Sequence, residues 1–342
     1  MATGTKTICL ALQGGGAHGA FTWGVLDRFL EEEDIDFEGI SGTSAGAMNA
    51  IMLAHGLMDG GREGARQLLD EFWGKVASEV PFPIWLENFF DTLPDLYHEP
   101  PLWMHAYLNM LRFLSPYQVN PFDLNPLEII VKGLVDFRRL RKHCPVRLFI
   151  NATQVRTGKI RVFTTEEMRL EMLLASACLP NLHKSVKINH EEYWDGGFTG
   201  NPAIFPLIYE CKKEDILVVI LHPLKIRAAP VSIEDISERM AELGFSTAFL
   251  REMRAITLTR EQIDQGLLRG GRLIGRFKKL RFHIIEAERL MVRLSDSSKY
   301  DVRKSFLNLL KKEGRQYAGT WLKKHKKNIG KQSSVNLGKL FT

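Results

Sequence analysis

Two glycine-rich turns, each set between a short apolar strand and a helix, constrain the fold of this chain more than any other feature. Thr7 to Gln13 reads as a strand that stops at Gly14-Gly15-Gly16-Ala17-His18-Gly19. Helical spacing then runs through Phe21, Val25, Leu26, Phe29 and Leu30. Phe37 to Ser41 reads as a second strand, which stops at Gly42-Thr43-Ser44-Ala45-Gly46 and leads into a helix over 45–57. Strand, turn and helix repeated in this way call for parallel strands joined by crossover helices, an α/β fold. The strand pattern resumes over 146–152 and 159–163, followed by a helix over 166–178. Segments 186–188 and 191–194 lead to the turn Asp195-Gly196-Gly197, and 215–221 is a buried strand.

The chain has 342 residues, 45% hydrophobic and 25% charged, enough to bury one large core and carry an extension. Disordered and rod-like classes are excluded. Cys9, Cys144, Cys178 and Cys211 show no CxxC or Cys/His ligand spacing, which argues against a disulfide scaffold and a cysteine-built metal site. A reduced, cytoplasmic chain is expected. No run approaches the roughly 20 apolar residues of a membrane span, so membrane contact is expected to be peripheral. Charge is uneven: residues 227–342 hold 25 Lys and Arg against 12 Asp and Glu, while 1–226 hold 21 against 28. A basic appendage of this kind suits an anionic surface or a solvated set of helices.

The expected division is therefore a catalytic domain over 1–226 and a mostly helical basic extension over 227–342. Within the first part, 80–125 holds 7 of the 14 prolines and 10 of the 33 aromatics, and reads as a helical insertion lying across a site or as an irregular packed layer. In the extension, Ser232 with Asp235 offers a helix start, 277–294 fits both a helix and a strand, and a last helix runs over about 301–325. The tail beyond reads as frayed.

Three pieces carry chemistry. Consecutive glycines at 14–16 let backbone N–H groups converge on an anion at a helix N-terminus. Read alone, that loop also fits the dinucleotide-binding G-x-G-x-x-G, with Glu38 about 20 residues beyond it. Gly42-Thr43-Ser44-Ala45-Gly46 is a G-x-S-x-G elbow in its required strand–helix context, where a strained turn presents the serine hydroxyl. Asp195-Gly196-Gly197 puts an acid on a separate strand-end turn.

At these motifs the sequence resembles the patatin-like phospholipase family, whose glycine loop, serine elbow and D-G-[G/A] turn occur in this order from about Lys6 to about Leu221. The resemblance implies a three-layer α/β/α fold around a mixed, mainly parallel sheet. It further implies cleavage of lipid acyl esters by a Ser–Asp dyad, with Ser44 as nucleophile and Asp195 as general base. Gly14, Gly15 and Gly16 would supply oxyanion-hole amides, with His18, Gly19, Gly42, Gly46, Gly196 and Gly197 as motif support. His18 departs from the family's usual Arg or Lys and is expected to be structural.

The expected activity is thus a phospholipase A-like or lysophospholipase-like hydrolase without a cofactor or metal. Its substrate would be a lipid ester, an anionic membrane surface its peripheral contact, and nucleic acid is not expected. Headgroup, acyl position and protein partners are not fixed by the sequence. One alternative is a non-phospholipid serine esterase with a triad completed by His222, in the chain order Ser, Asp, His. Another is a catalytically idle membrane-binding module. His183, His190 and His283 lack metal spacing and read as structural or surface residues.

Overall fold

The computed structural model describes residues 5–79, 114–226, 228–294 and 296–342. Among them, eight strands form one sheet: β1 (Lys6–Leu12), β2 (Ile35–Gly42), β3 (Arg147–Gln154), β4 (Ile160–Thr164), β5 (Val186–Ile188), β6 (Glu191–Asp195), β7 (Asp215–Ile220) and β8 (Arg281–Glu286). Their order is β5-β6-β3-β2-β1-β7-β8, with β4 also paired to β3. The run β3-β2-β1-β7-β8 is parallel, whereas β4 and β6 join β3, and β5 joins β6, antiparallel.

β7 is buried at every position, as a central strand covered on both faces must be. The two-residue period of β1 sends Ile8, Leu10 and Leu12 into one core and Cys9 and Ala11 into another. The principal helices are α1 (Gly19–Phe29), α2 (Ala45–Glu79), α3 (Leu170–Ser176), α4 (Ile233–Asp264) and α5 (Lys304–His325). The first core takes apolar side chains from α1, α2, α3 and α5, and the second takes Phe249, Met253 and Ile256 of α4. This is the expected three-layer α/β/α arrangement around a mixed, mainly parallel sheet. α2 breaks at Gly60 and Gly61, the latter at φ 61°, which joins the expected helix over 45–57 to a second one.

Residues 227–342 are mostly helical, and they also give the sheet its edge strand β8. The ambiguous stretch over 277–294 resolves into a helix ending at Lys279, then β8, then a short helix at Glu288–Met291. Pairing with β7 decides the matter, because Phe282 and Ile284 enter one core and Ile285 the other. The helix expected over 166–178 is shorter, beginning at Leu170 after a 3₁₀ turn at Thr165–Glu167. The tail is not frayed: Leu337 and Phe341 are buried, with Phe341 edge-on to Phe249 at 5.9 Å. Of the proline- and aromatic-rich stretch 80–125, residues 80–113 lie outside the described residues.

Part of the charge asymmetry is met inside the molecule. Lys311 pairs with Asp70 at 2.7 Å, Arg315 with Glu31 at 2.6 Å and with Asp27, Lys326 with Asp34 and Glu32, and Arg281 with Asp215 at 2.8 Å. The basic extension therefore lies in part against the acidic surface of residues 1–226.

Candidate active site

Ser44 sits where β2 turns into α2, at φ 54°, a left-handed conformation that is costly for a residue with a Cβ. The turn is possible because glycines stand two positions to either side, at 42 and 46. A Cβ on Gly42 would stand 2.6 Å from the Gly46 carbonyl oxygen, and one on Gly46 would collide with the carbonyl of Leu12 in β1. The Ser44 N–H donates to Ser176 Oγ at 3.0 Å, tying the elbow to the end of α3.

Sheet register brings Asp195 to this elbow. β4 fills one edge of β3 from Phe149 to Thr153, so β2, at 147–150, and β6, at 152–154, must share the other edge. β2 runs parallel to β3 and stops opposite Ile150, while β6 runs antiparallel and stops with Asp195 opposite Ala152. Their C-terminal ends meet head to head, about 7 Å apart along β3. Asn151 fastens the junction. Its Nδ2 donates to the carbonyls of Gly196 at 3.0 Å and Gly200 at 2.8 Å, and its Oδ1 accepts from the Thr43 hydroxyl at 2.6 Å. Nothing in the local sequence around Asn151 marks it out.

Asp195 is fully buried. Its Oδ1 accepts the Gly197 N–H at 2.7 Å, while Oδ2 makes no hydrogen bond of good geometry to a described group. The carboxyl is pushed up to about 7 by burial, against the opposing effects of the Gly197 N–H and the nearby Ser44 hydroxyl.

Ser44, Asp195 and the glycine loop line one cavity of about 340 Å³. Gly14 donates its N–H to Asn201 Oδ1 at 2.7 Å, so this amide is spent on holding the loop, which takes it out of the expected set of oxyanion donors. Gly15 and Gly16 donate to no described group, and neither does Ala45, the first residue of α2. Gly15, Gly16 and Ala45 all line the cavity, and Ala45 opens α2, whose N-terminus favours negative charge. Gln13 secures the loop from behind, its Oε1 accepting from the N–H groups of Leu221 and His222 at 2.6 and 2.9 Å.

The histidines divide. His18 is buried and bonded to Ser298 Oγ at 2.7 Å, and burial, with the charge of Lys299 nearby, pushes it down to about 3, so it is neutral and packs rather than acts as a cation. His222 and His183 line the cavity. Neither His222 nitrogen is bonded to Ser44 or Asp195, and burial, then the Lys299 charge, holds the ring well below its ordinary range. His283 is buried against Asp215 at 3.0 Å, away from the cavity. Sequence reasoning missed Lys299 and Tyr300, which enter the cavity from the C-terminal region, and Glu242 and Phe245, which enter it from α4.

Among the described residues one group, Cys9, Glu38 and Cys211, brings metal-ligand atoms within 4.8 Å of one another. The donor set does not suit a metal. Glu38 already accepts from the N–H groups of Lys212 and Lys213 at 2.7 and 2.6 Å, and the Cys9 thiol is pushed upward by its bond to Cys211 and by burial. This group lies outside the cavity lining.

A serine elbow, a strand-end acid and a glycine loop thus meet at one cavity of a three-layer α/β/α fold. Residues 10–208 match the family model of the patatin-like phospholipases, and the chain belongs to that family. Lipid hydrolysis is the general activity that membership supports. No curated protein matches the chain in sequence. Among solved structures, VipD from Legionella pneumophila is 16% identical, with a TM-score of 0.44 over 94% of this chain and 67% of that one. A chain of the heterodimeric ExoU–SpcU complex from Pseudomonas aeruginosa is 14% identical, with a TM-score of 0.38 over 94% of this chain and 52% of that one. This chain thus spans about half the length of the latter. Both likenesses are distant.

Proposed function

We propose that this protein is a serine carboxylic-ester hydrolase that cleaves acyl esters of phospholipids or lysophospholipids, with Ser44 as nucleophile and Asp195 as general base. The observation that carries this reading is the meeting, in one cavity, of a strained serine and a buried carboxyl pushed up to about 7. A base acting without histidine needs that upward shift to accept a proton near neutral pH.

In the proposed reaction Ser44 Oγ attacks the ester carbonyl carbon and its proton passes to Asp195. Negative charge develops on the carbonyl oxygen, where the Gly15, Gly16 and Ala45 amides stabilise it by roughly 3–4 kcal/mol per donor, judged by comparable sites. Collapse breaks the ester C–O bond, and the leaving alcohol takes the proton from Asp195. Water then attacks the acyl-serine and gives a proton to Asp195, which returns it to Ser44 as the fatty acid leaves. The apolar wall, including Phe72, Trp73, Val76 and Leu179, suits an acyl chain.

Residues 1–226 would carry the reacting groups, and 227–342 would be an extension that completes the cavity. Peripheral contact with a lipid surface is favoured by exposed apolar side chains next to lining residues: Phe122 and Leu124 precede Asn125, and Met240 precedes Ala241. No described helix is long and apolar enough to cross a membrane. The four unpaired cysteines suit a reducing compartment.

Free fatty acid released from mixed zwitterionic and anionic phospholipid vesicles tests the reading. Ser44→Ala should lower release by at least about a thousandfold, and release at the wild-type rate would refute the serine mechanism. A triad remains a second reading because His222 shares the cavity. His222→Ala should keep most activity and Asp195→Asn should lose it, whereas loss in both would favour the triad.

A further inference from the structure

Gly14 gives its N–H to Asn201 Oδ1, and that bond fixes the sense of the Asn201 amide: the oxygen faces the loop and the nitrogen is left over. Three asparagines are buried among the described residues. Asn49 donates from Nδ2 to the Gly19 carbonyl at 2.9 Å and accepts from the Trp73 indole at 3.0 Å, and Asn151 likewise uses both ends of its amide. Asn201, 1% exposed, bonds through Oδ1 and through its main-chain carbonyl, which accepts from Gln13 Nε2 at 3.1 Å. Its Nδ2 donates to no described group. An enclosed amide nitrogen is costly to leave without an acceptor, and a ligand oxygen would offset that cost.

Asn201 lines the cavity together with Ser44, Gly15 and Gly16, and the little surface that Nδ2 keeps opens there. A Cβ on Gly14 would stand 2.7 Å from Ser44 Cβ and 3.3 Å from Asn201 Oδ1, so the serine elbow and the amide flank the glycine loop at one point. The amide is held from several sides: Oδ1 on Gly14, the main-chain carbonyl on Gln13, and the preceding Gly200 carbonyl on Asn151 and Thr43. A donor fixed in advance beside the nucleophile meets the need of an oxygen on which charge is developing.

We propose that Asn201 is a catalytic residue whose Nδ2 donates to the substrate's carbonyl oxygen as it becomes an oxyanion, alongside the Gly15, Gly16 and Ala45 amides. This rests on the hydrolase reading above. Asn201 thereby returns to the oxyanion hole the donor that it takes away: the Gly14 amide is spent on Oδ1, and Nδ2 of the same side chain stands in for it. No covalent bond changes at Asn201; its hydrogen bond strengthens as negative charge grows.

The test begins with wild-type protein labelled with ¹⁵N at asparagine and treated with an alkyl fluorophosphonate, which sets a phosphonyl oxygen where the oxyanion would form. Mass spectrometry checks the adduct on Ser44. The Asn201 side-chain amide signals, identified by their cross-peaks to the Gly14 amide proton, should show one proton moving downfield in the adduct, while the Asn49 and Asn151 signals stay in place. A residue that only holds the loop would not give that shift. An adduct on Ser44 with unmoved Asn201 signals would overturn the proposal and leave hydrolysis by Ser44 standing, whereas no adduct on Ser44 would remove both. Kinetics on vesicles give the second arm. Asn201→Asp keeps an acceptor for the Gly14 N–H and removes the amide donor, so kcat should fall about a hundredfold to a thousandfold with KM changed less than about threefold. Activity close to wild type across pH ~6–9, on both sides of the range in which a buried carboxyl titrates, would mean that Oδ1 alone matters and would overturn the role of Nδ2.

Discussion

Asp195 carries two opposed consequences of burial. A carboxyl pushed up to about 7 is a competent base, and the same shift costs folding stability. Unfolded, the group ionises near 3.8; folded, it stays protonated to about 7. Between those values the unfolded chain binds fewer protons, so stability falls as pH rises through the window and the effect is flat above it. Three units correspond to at most about 4 kcal/mol. kcat/KM should therefore rise with pH and level off above about 7. Asp195→Asn should abolish activity yet melt above wild type at pH ~8, with the two converging at pH ~4. Glu252, also pushed up to about 7 by burial, is present in both proteins, so the comparison isolates Asp195. An Asn variant that melts lower by the same amount at both pH values would contradict the account.

At the scale of elements, the site depends on helices set closer than side chains normally allow. α1 and α5 cross where a Cβ on Gly24 would meet the Lys311 carbonyl and one on Gly314 the Phe21 carbonyl. α1 extends from the glycine loop, so this crossing also bears on the amides. Gly314→Val should cost about 1–3 kcal/mol through overpacking, visible as a lowered melting temperature; an unchanged melt would mean the helices part freely. β1, β2 and β7 were legible in the sequence because apolar runs bounded by turn residues admit few other structures. β8 was not, since Leu280–Ile285 fits two periods and only the long-range pairing with β7 selects the strand. The elbow and the D-G-G turn were legible as glycine motifs, although the contacts that require glycine at 46, 196 and 197 come from Leu12, Asn151 and Phe245, elsewhere in the chain. Asn151, Asn201, Lys299 and Tyr300 left no local mark, because the groups that Asn151 and Asn201 bond lie 45 to 188 positions away and Lys299 and Tyr300 reach the cavity from the far end of the chain.

Across the whole molecule, part of the sequence's division into an acidic first part and a basic second part is met by internal pairs. Lys311, Arg315 and Lys326 meet acids of the first 226 residues, and each exposed pair contributes little alone. Apolar packing of α5 against α1 holds that helix, while the turn at 296–300 meets the glycine loop through Ser298 on His18 and the Lys299 carbonyl beside Gly16. The extension is thereby a wall of the cavity rather than an appendage, and this could not be read from charge totals. The central claim is that Ser44 is activated by Asp195 alone. Its most direct test is labelling with a fluorophosphonate that bears an alkyl chain, followed by peptide mass spectrometry. The account predicts one adduct, on the peptide containing Ser44, formed by wild type and His222→Ala but not by Asp195→Asn. An adduct on another residue, or undiminished labelling in Asp195→Asn, would contradict it.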